Sequence, residues 1–163
     1  MRMNNNNYKA FFETDKSSEK IFDSICDVTK WWSKDFEGNS KKLYDEFIIH
    51  HPGQHFSKQK VVEFIPHKKI VWLVTESKLH WLKDDQQEWT DTRMIFQIIS
   101  DSSTATLYFE QEGLNSEKKC YVLCSQGWDI VIKNWLPHYI NTGKSSDEMM
   151  KAVEMRNQFL TRK

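Results

Sequence analysis

The sequence predicts an α+β fold in which an antiparallel sheet of about six strands packs against one long C-terminal helix. Three observations favour this class: a strand candidate followed by two short helical patterns, a central series of short strands broken by reversals, and a later apolar stripe at helical spacing. Strands joined by tight reversals pair antiparallel, because parallel neighbours need crossover connections of a dozen or more residues.

The N-terminal part predicts one strand and two short helices. Residues 1–7 are rich in asparagine, and we expect them to be disordered. The aromatic-rich segment Tyr8–Thr14 then predicts the first strand. An N-cap at Ser17 or Ser18 begins the first helix, and the second helix ends near Gly38. The apolar residues of these two helices are Ile21, Phe22, Ile25, Val28, Trp31 and Trp32.

The central part predicts five further strands, at residues 43–50, 56–65, 70–81, 92–99 and 104–113. Each ends at a turn or a charged loop, as at Pro52-Gly53, where proline presets φ and glycine tolerates a positive φ. Alternate residues of a strand face the same side, so one set from each strand should face the long helix. The candidates are Phe47 and Ile49, Val62 and Phe64, Trp72 and Val74, Phe96 and Ile98, and Leu107 and Phe109. A shift of one residue would exchange each set for its neighbours, and Val61, Ile65, Leu73 and Ile95 are apolar as well.

A long helix is predicted over residues 119–142 by apolar residues at steps of three and four: Tyr121, Cys124, Trp128, Val131, Trp135 and Tyr139. Gly143 ends this helix, and Pro137 is expected to kink it near residues 133–135, because proline lacks an N–H donor and crowds the preceding turn. Residues 8–143 thus form one domain. Residues 144–163 are expected to add an amphipathic helical extension.

Composition excludes several classes of partner. Lysine plus arginine and aspartate plus glutamate both total 23, so no basic face for nucleic acid is predicted. No apolar segment reaches the ~18 residues of a membrane-spanning helix, so we expect no membrane partner. Three cysteines are too few for a disulfide scaffold, and the N-terminus lacks the apolar stretch of a signal peptide. We therefore expect a cytoplasmic protein with reduced thiols.

Four groups of segments carry a resemblance to a known family: Phe12-Glu-Thr-Asp-Lys-Ser-Ser-Glu-Lys-Ile-Phe22, Lys69-Ile-Val-Trp-Leu73, Thr104-Ala-Thr-Leu-Tyr-Phe-Glu-Gln-Glu-Gly-Leu114, and Gly127-Trp128 with Trp135-Leu136. Over about residues 8–143 the chain resembles the START-like, or SRPBCC, superfamily, and within it the group named after the activator of the ninety-kilodalton heat-shock protein's ATPase. The resemblance implies a helix-grip fold, in which a curved sheet wraps the long helix and leaves a pocket for an apolar ligand. These motifs are packing patterns and assign no reaction.

The expected function is binding of a small hydrophobic ligand between the sheet and the long helix, without cofactor or metal, by a monomer or homodimer. The expected ligand-binding residues are Trp31, Trp32, Phe47, Ile49, Phe64, Trp72, Phe96, Ile98, Phe109, Cys124, Trp128, Val131 and Trp135. The alternative is that these rings fill the space as an ordinary core, because an aromatic stripe at helical period is usually core.

Two other functions stay open on the sequence alone. The resemblance implies a co-chaperone-like regulator of the heat-shock ATPase, with that chaperone as partner. It also implies cyclase-like or hydrolase-like relatives, in which a carboxylate beside the pocket acts as acid or base. The candidates for such a role or its support are Glu63, Glu76, Arg93, Glu110 and Asp129.

Two clusters of potential metal ligands are better explained by structure. His50, His51 and His55 surround one turn, but neighbouring strand residues point to opposite faces, so at most two of the three converge. Cys120 and Cys124 share a helix face without further soft ligands nearby, which favours packing. At the start of the helix, Cys120 is expected to have a lowered pKa through the helix dipole.

Overall fold

An antiparallel seven-stranded sheet is the framework of the computed structural model, which describes residues 6–51 and 54–152. The strands are β1 (Tyr8–Thr14), β2 (Phe36–Gly38), β3 (Glu46–His51), β4 (His55–Ile65), β5 (Lys69–Leu79), β6 (Arg93–Ser100) and β7 (Ala105–Glu112). Their order across the sheet is β1-β7-β6-β5-β4-β3-β2, and each neighbouring pair is antiparallel. The sheet curves around the long helix, so the predicted α+β helix-grip architecture is confirmed.

The strand β2 was not indicated by the sequence pattern, which placed its residues at the end of the second helix. It pairs with β3, with Gly38 opposite Phe47. Gly38 has a φ of +106°, and a Cβ atom there would lie 2.3 Å from the carbonyl oxygen of Glu46. Only glycine accepts that approach. A residue that resembled a helix stop is therefore the end of a strand.

Two short helices follow β1, as predicted: α1 (Ser18–Cys26) and α2 (Val28–Trp31). Ser17 is the N-cap of α1, because its Oγ accepts a hydrogen bond of 3.1 Å from the backbone N–H of Lys20. The buried face of α1 carries Ile21, Phe22 and Ile25, at the predicted spacing.

The long helix has three consecutive parts: α3 (Tyr121–Ile130), a π-helical segment (Val131–Trp135) and α4 (Leu136–Thr142). Gly143 ends it in a left-handed conformation, with a φ of 74°. The π segment lies immediately before Pro137, in the region where the sequence predicted a kink. There the backbone N–H of Leu136 donates to the carbonyl oxygen of Val131, five residues back. The helix therefore continues past the proline region with a locally wider turn.

The buried side of the long helix includes an apolar row that the predicted stripe left out. Ile132, Leu136 and Ile140 are fully buried at steps of four residues. In an α-helix, a residue four positions further along is rotated by ~40° beyond one full turn. The wider turn of the π segment offsets part of this rotation, which keeps the row closer to one face. The predicted stripe residues that are buried beside this row are Cys124, Trp128, Val131 and Trp135. The helix thus presents a broad apolar face.

Aromatic rings fill much of the space between the sheet and the helices. On β3, β5, β6 and β7 the predicted inward residues are buried: Phe47, Ile49, Trp72, Val74, Phe96, Ile98, Leu107 and Phe109. On β4 the expectation for Val62 is wrong, because a bulge between Val61 and Glu63 shifts the alternation. Val61 is fully buried instead, and Phe64 meets Phe22 of α1 with ring centroids 5.0 Å apart.

Beyond Gly143, residues 147–152 are helical and are the last that the structure describes. Ser146 is fully buried; its Oγ donates to the carbonyl oxygen of Trp135 at 2.6 Å, and Met150 joins the core. Disorder is expected for residues 1–7; residues 1–5 of this range and the distal part of the expected extension, residues 153–163, lie outside the described residues. The side chain of Asn7 donates to Oε2 of Glu110 at 2.9 Å and accepts from the backbone N–H of Gly113 at 3.1 Å. No helix in the described part of the chain has the length and hydropathy needed to cross a bilayer.

Candidate functional site

A cleft of about 760 Å³ lies between the long helix and the β3–β4 hairpin. Its other walls come from the segment after α2, the β5–β6 connection and the helical residues 147–152. The volume falls within the ~300–1,000 Å³ typical of small-molecule sites. Five of the seven tryptophans of the chain line this cleft: Trp32, Trp81, Trp89, Trp128 and Trp135.

Three of these tryptophans form a continuous inner wall. The rings of Trp89 and Trp128 are stacked, with centroids 5.8 Å apart and planes 7° from parallel. Trp32 lies on the other side of Trp128, at a centroid distance of 5.2 Å. At the outer part of the cleft, Trp81 and Leu123 are exposed and extend the apolar surface. Such rings offer large contact areas to flat apolar molecules.

Hydrogen bonds hold the inner wall in place. Nε1 of Trp128 donates to Oε1 of the fully buried Gln111 at 2.6 Å, and Nε2 of Gln111 donates to Oγ1 of Thr92 at 2.9 Å. Nε1 of Trp89 donates to Sγ of Cys124 at 3.3 Å. Because a buried indole N–H needs a partner, these bonds fix the orientation of each ring. The wall is therefore formed before any ligand arrives.

The neighbours Trp31 and Trp32 have different environments because α2 ends between them. Trp31 is fully buried, and its Nε1 donates to the carbonyl oxygen of Ile25 at 3.2 Å. Trp32 is the C-cap of α2 and lines the cleft. Both rings stack on Trp72, at 6.3 Å and 6.1 Å. The pair thus connects the core to the cleft wall.

Histidines line the hairpin side of the cleft. His51 lies opposite His55 in the β3–β4 pairing, and both line the cleft together with His50. Nε2 of His55 is 2.7 Å from Oγ of Ser57, and the His55 ring meets Trp89 edge to face at 4.6 Å. Burial, and secondarily the neighbouring histidines, lower the pKa of His55 to about 3. This imidazole is therefore neutral at physiological pH.

Charged side chains at the edge of the cleft pair with one another. Nζ of Lys34 lies 2.6 Å from Oδ2 of Asp147, and Nδ1 of His50 lies 3.5 Å from Oδ2 of Asp35. The hydrogen bond from Lys34 holds the pKa of Asp147 below its usual value. Lys151, which is exposed, adds one further cation to the lining. The charges of Lys34 and Asp147 thus compensate each other at the edge of the cleft.

The structure divides the expected ligand-binding residues into two groups. Those that line the cleft are Trp32, Cys124, Trp128, Val131 and Trp135. Those that pack in the core and do not line the cleft are Trp31, Phe47, Ile49, Phe64, Trp72, Phe96, Ile98 and Phe109. Trp72, for example, contacts Phe47 at 4.9 Å and Phe96 at 4.8 Å between ring centroids. The five lining residues are themselves only 2–8% exposed and belong to the same buried cluster. The middle of the sheet is therefore filled by rings, and the cleft lies beside this filled region.

The sequence interpretation missed the loop that completes the cleft. Trp81 and Trp89 flank the charged segment 83–88 and both line the cleft. A pair of tryptophans around a charged loop was a usable signal, because large aromatic residues are mostly buried and must fold back from such a loop. The histidines, interpreted as surface turn residues, also line the cleft.

The carboxylates considered for proton transfer lie outside the cleft. Glu63 pairs with Lys69 at 3.0 Å, and Asp129 accepts a hydrogen bond from the Tyr8 hydroxyl. Neither these two nor the other candidates line the cleft, namely Glu76, Arg93 and Glu110. Within residues 6–51 and 54–152, no three side chains of histidine, cysteine, aspartate or glutamate come close enough to hold a metal ion.

The expectation of a lowered pKa for Cys120 is wrong. A hydrogen bond with Cys124, burial and the nearby carboxylate of Glu88 raise the pKa of this thiol. Glu88 also occupies the positive end of the helix, because its two carboxylate oxygens accept hydrogen bonds from the backbone N–H groups of Lys119 and Cys120, at 2.9 and 2.8 Å. The helix dipole is thus used to hold a carboxylate and does not activate the thiol.

Comparison with known proteins relates the chain to others by its fold. No protein-family model and no curated protein matches it. The solution structure of the Aha1 dimer from Colwellia psychrerythraea has a TM-score of 0.68 at 19% identity, covering 85% of this chain and 98% of that one. DynU16, from the dynemicin biosynthetic locus, has a TM-score of 0.62 at 12% identity, covering 88% of this chain and 50% of that one. CalU16 from Micromonospora echinospora has a TM-score of 0.60 at 15% identity, covering 91% and 81%. These matches confirm the predicted resemblance at the level of the fold.

Proposed function

We propose that the protein binds a small, apolar, ring-containing molecule in the cleft between the long helix and the β3–β4 hairpin. The observation that carries the proposal is the concentration of five of the seven tryptophans around a cleft of about 760 Å³. Aromatic side chains on this scale supply contact area and stacking surfaces for a flat ligand. The acid and base candidates lie elsewhere, so the proposal is one of binding without a chemical step.

Gly127 supports the proposal because it keeps part of the cleft open. A glycine inside a helix costs about 1 kcal/mol relative to alanine. The described residues place nothing within 4 Å of a Cβ atom built on Gly127, and its φ lies outside the left-handed range. Neither packing nor backbone conformation therefore requires a glycine here. A side chain at this position would take up space in the cleft that it lines.

The test is to fill the cleft from this position with Gly127→Leu. The variant should bind less tightly because its side chain occupies ligand space, while replacement of a helical glycine should leave the melting temperature unchanged or raise it by about 2–4 °C. Dissociation constants are measured for 2-naphthol, quercetin and decanoic acid by titration of the ¹⁵N-labelled indole N–H signals. We expect binding of at least one aromatic compound and at least tenfold weaker binding of it by the variant.

Two internal controls accompany the test. Val122→Leu changes an exposed residue of the same helix that does not line the cleft, so ligand affinity should be unchanged. Among the indole signals, those of the five cleft tryptophans should shift on binding more than those of Trp31 and Trp72, which are fully buried. Absence of binding by the wild-type protein to all three compounds, or equal affinity in Gly127→Leu, contradicts the proposal.

A further inference from the structure

His55 is a partly buried polar residue in the lining of the cleft. It lies between the hairpin and the tryptophan wall, at ring-centroid distances of 4.6 Å from Trp89 and 6.3 Å from Trp32. Its Nε2 is engaged with Oγ of Ser57 at 2.7 Å. Its other nitrogen, Nδ1, has no hydrogen bond to any residue that the structure describes, and the side chain lines the cleft. Within the described part of the chain, one ring nitrogen is therefore without a partner.

The contact between His55 and Ser57 positions the imidazole and does not build a nucleophile. Ser57 is fully buried on the inner face of β4 and does not line the cleft, so its hydroxyl cannot reach a bound substrate. A serine nucleophile also needs a base that a third group orients. The nearest pairing of this kind joins Asp35 to His50, a different histidine. Ser57 instead fixes the ring of His55 through Nε2. The second ring nitrogen, Nδ1, is then available to the cleft.

We propose that Nδ1 of His55 is a specificity contact of the cleft, and that the preferred ligands are uncharged aromatic molecules that carry a hydroxyl group. This inference rests on the proposed function, since it names the chemical class of ligand for the same cleft. The tryptophan wall accounts for the aromatic part of the ligand. The hydroxyl would meet Nδ1 of His55, for which the described residues provide no hydrogen-bond partner.

The preference for an uncharged ligand follows from the charges around the cleft. Lys34 is paired with Asp147, and the exposed carboxylate of Asp35 is screened by solvent, so these groups offer little net attraction to an ion. Lys151 is exposed, and its charge is screened by solvent. A charged group placed beside Trp32 and Trp89 would lose its hydration without gaining a partner of opposite charge. An uncharged polar group carries a far smaller penalty.

The choice of a hydroxyl follows from the chemistry of a neutral imidazole. If Nε2 carries the proton and donates to Ser57, Nδ1 is an acceptor; if Ser57 donates to Nε2, Nδ1 carries the proton and is a donor. A hydroxyl can donate to the first tautomer and accept from the second. A carbonyl fits only one of them. A hydroxylated aromatic ring is thus the class that suits the site in either state.

The experiment compares two ligands of nearly equal shape, 2-naphthol and 2-methylnaphthalene, which differ by a hydroxyl in place of a methyl group. Dissociation constants are measured for the wild-type protein, His55→Phe and His55→Gln. The wild-type protein can form a hydrogen bond between Nδ1 of His55 and the hydroxyl of 2-naphthol, and His55→Phe cannot. The preference for 2-naphthol over 2-methylnaphthalene should therefore be about fivefold larger in the wild-type protein than in His55→Phe. His55→Gln, which keeps a polar end, should retain part of this preference.

A second measurement uses only the wild-type protein, so that a folding defect in a variant does not decide the result. Long-range ¹H–¹⁵N spectra report the state of each imidazole nitrogen. 2-Naphthol should shift the Nδ1 signal of His55 and leave the Nε2 signal nearly unchanged, whereas 2-methylnaphthalene should shift neither substantially.

The outcomes separate the two proposals. Suppose that both compounds bind the wild-type protein. The role of His55 is then overturned if the ratio of the two affinities is the same in the wild-type protein and His55→Phe, or if 2-naphthol does not shift the Nδ1 signal. Either result leaves the binding function intact. If neither compound binds the wild-type protein, the inference about His55 fails, and the ligand panel used for Gly127→Leu then decides the binding function separately.

Discussion

His55 and Gly127 are the two residues on which the proposals about the cleft depend. The described residues place nothing within 4 Å of a Cβ atom on Gly127, and His55 places a neutral imidazole beside the aromatic rings of Trp32 and Trp89. Ser57 acts through His55 by engaging Nε2 of its ring. Under these proposals, Gly127 limits the size and His55 the polarity of a bound molecule.

The pKa of His55 predicts how the stability of the protein depends on pH. The folded-state pKa is about 3, below the ~6.5 of an unfolded histidine. Below pH ~6.5 the unfolded chain therefore binds a proton that the folded protein does not. The free energy of unfolding should fall through this residue as the pH drops from ~6.5 toward 3, by up to ~1.4 kcal/mol per pH unit.

Urea unfolding of the wild-type protein and His55→Gln, measured by circular dichroism at pH 7, 6 and 5, tests this prediction. The variant lacks the group that titrates, while the surrounding His50, His51 and His80 are common to both proteins. The wild-type protein should therefore lose more stability than the variant between pH 7 and pH 5. Parallel pH profiles would show that the folded protein accepts the proton on His55 as readily as the unfolded chain.

The start of the long helix depends on a residue far away in the sequence. Cys120, at the N-cap position of α3, makes no side-chain capping bond. Glu88, from the β5–β6 connection, accepts two backbone N–H groups there instead, and its side chain is buried. A carboxylate at this end also interacts favourably with the helix dipole. The same contact holds the loop that brings Trp89 to the cleft.

Glu88→Gln should destabilise this junction of helix and loop. The amide keeps one acceptor oxygen but loses the charge and leaves one backbone N–H without its partner, at an expected loss of about 1–2 kcal/mol in the free energy of unfolding. Hydrogen exchange at Lys119 and Cys120 should accelerate. Glu117→Gln removes an exposed carboxylate nearby and should change the stability by less than about 0.5 kcal/mol. An equal effect of the two substitutions would contradict the capping role.

The π segment shows why an element predicted correctly can still present an unexpected surface. The 3.6-residue period identified the helix and its stripe through Trp128. Ile132 and Leu136, four and eight residues after Trp128, are fully buried as well, and the turn between them is widened by the π segment. No local signal other than Pro137 indicated this change, because a π segment is stabilised by the packing of the whole helix against the sheet.

The cleft is a property of the whole molecule, because its walls come from segments far apart in the chain. The segment after residue 143 illustrates this. Ser146 bonds to Trp135 and, through its backbone N–H, to the carbonyl oxygen of Lys30 at 2.8 Å. Met150 is buried, and Asp147 and Lys151 line the cleft. These contacts tie the end of the described chain to both α2 and the long helix.

Truncation after Gly143 should therefore lower the melting temperature by several degrees. It removes the buried Ser146 and Met150 and one wall of the cleft, so affinity for aromatic ligands should fall as well. The measurements are thermal unfolding, ligand titration and the molar mass in solution of the full and truncated chains. An unchanged melting temperature together with loss of a dimer would instead indicate that this segment serves as a contact between copies of the chain.

Much of the architecture could be predicted because it follows from local patterns. The period-2 strands, the reversals between them and the apolar helix stripe depend on short stretches of sequence. The strand β2 was missed because its three residues have no such period, and their pairing is decided by contact with β3. Val62 was assigned to the wrong face because a single bulge reverses the faces to which the following side chains of a strand point.

The sequence by itself determined the class of fold, the order of its elements and the stock of aromatic rings, since hydrophobic periodicity and turn chemistry act over short distances. Only the tertiary structure decided which rings fill the core and which line a cleft. Trp72 and Trp128 look equally apolar in the sequence, and both are buried, yet Trp72 is enclosed by Phe47 and Phe96 whereas Trp128 lines the cleft. Whether aromatic rings fill a cavity depends on the volumes and orientations of side chains from many segments of the chain. No short stretch of sequence determines these together.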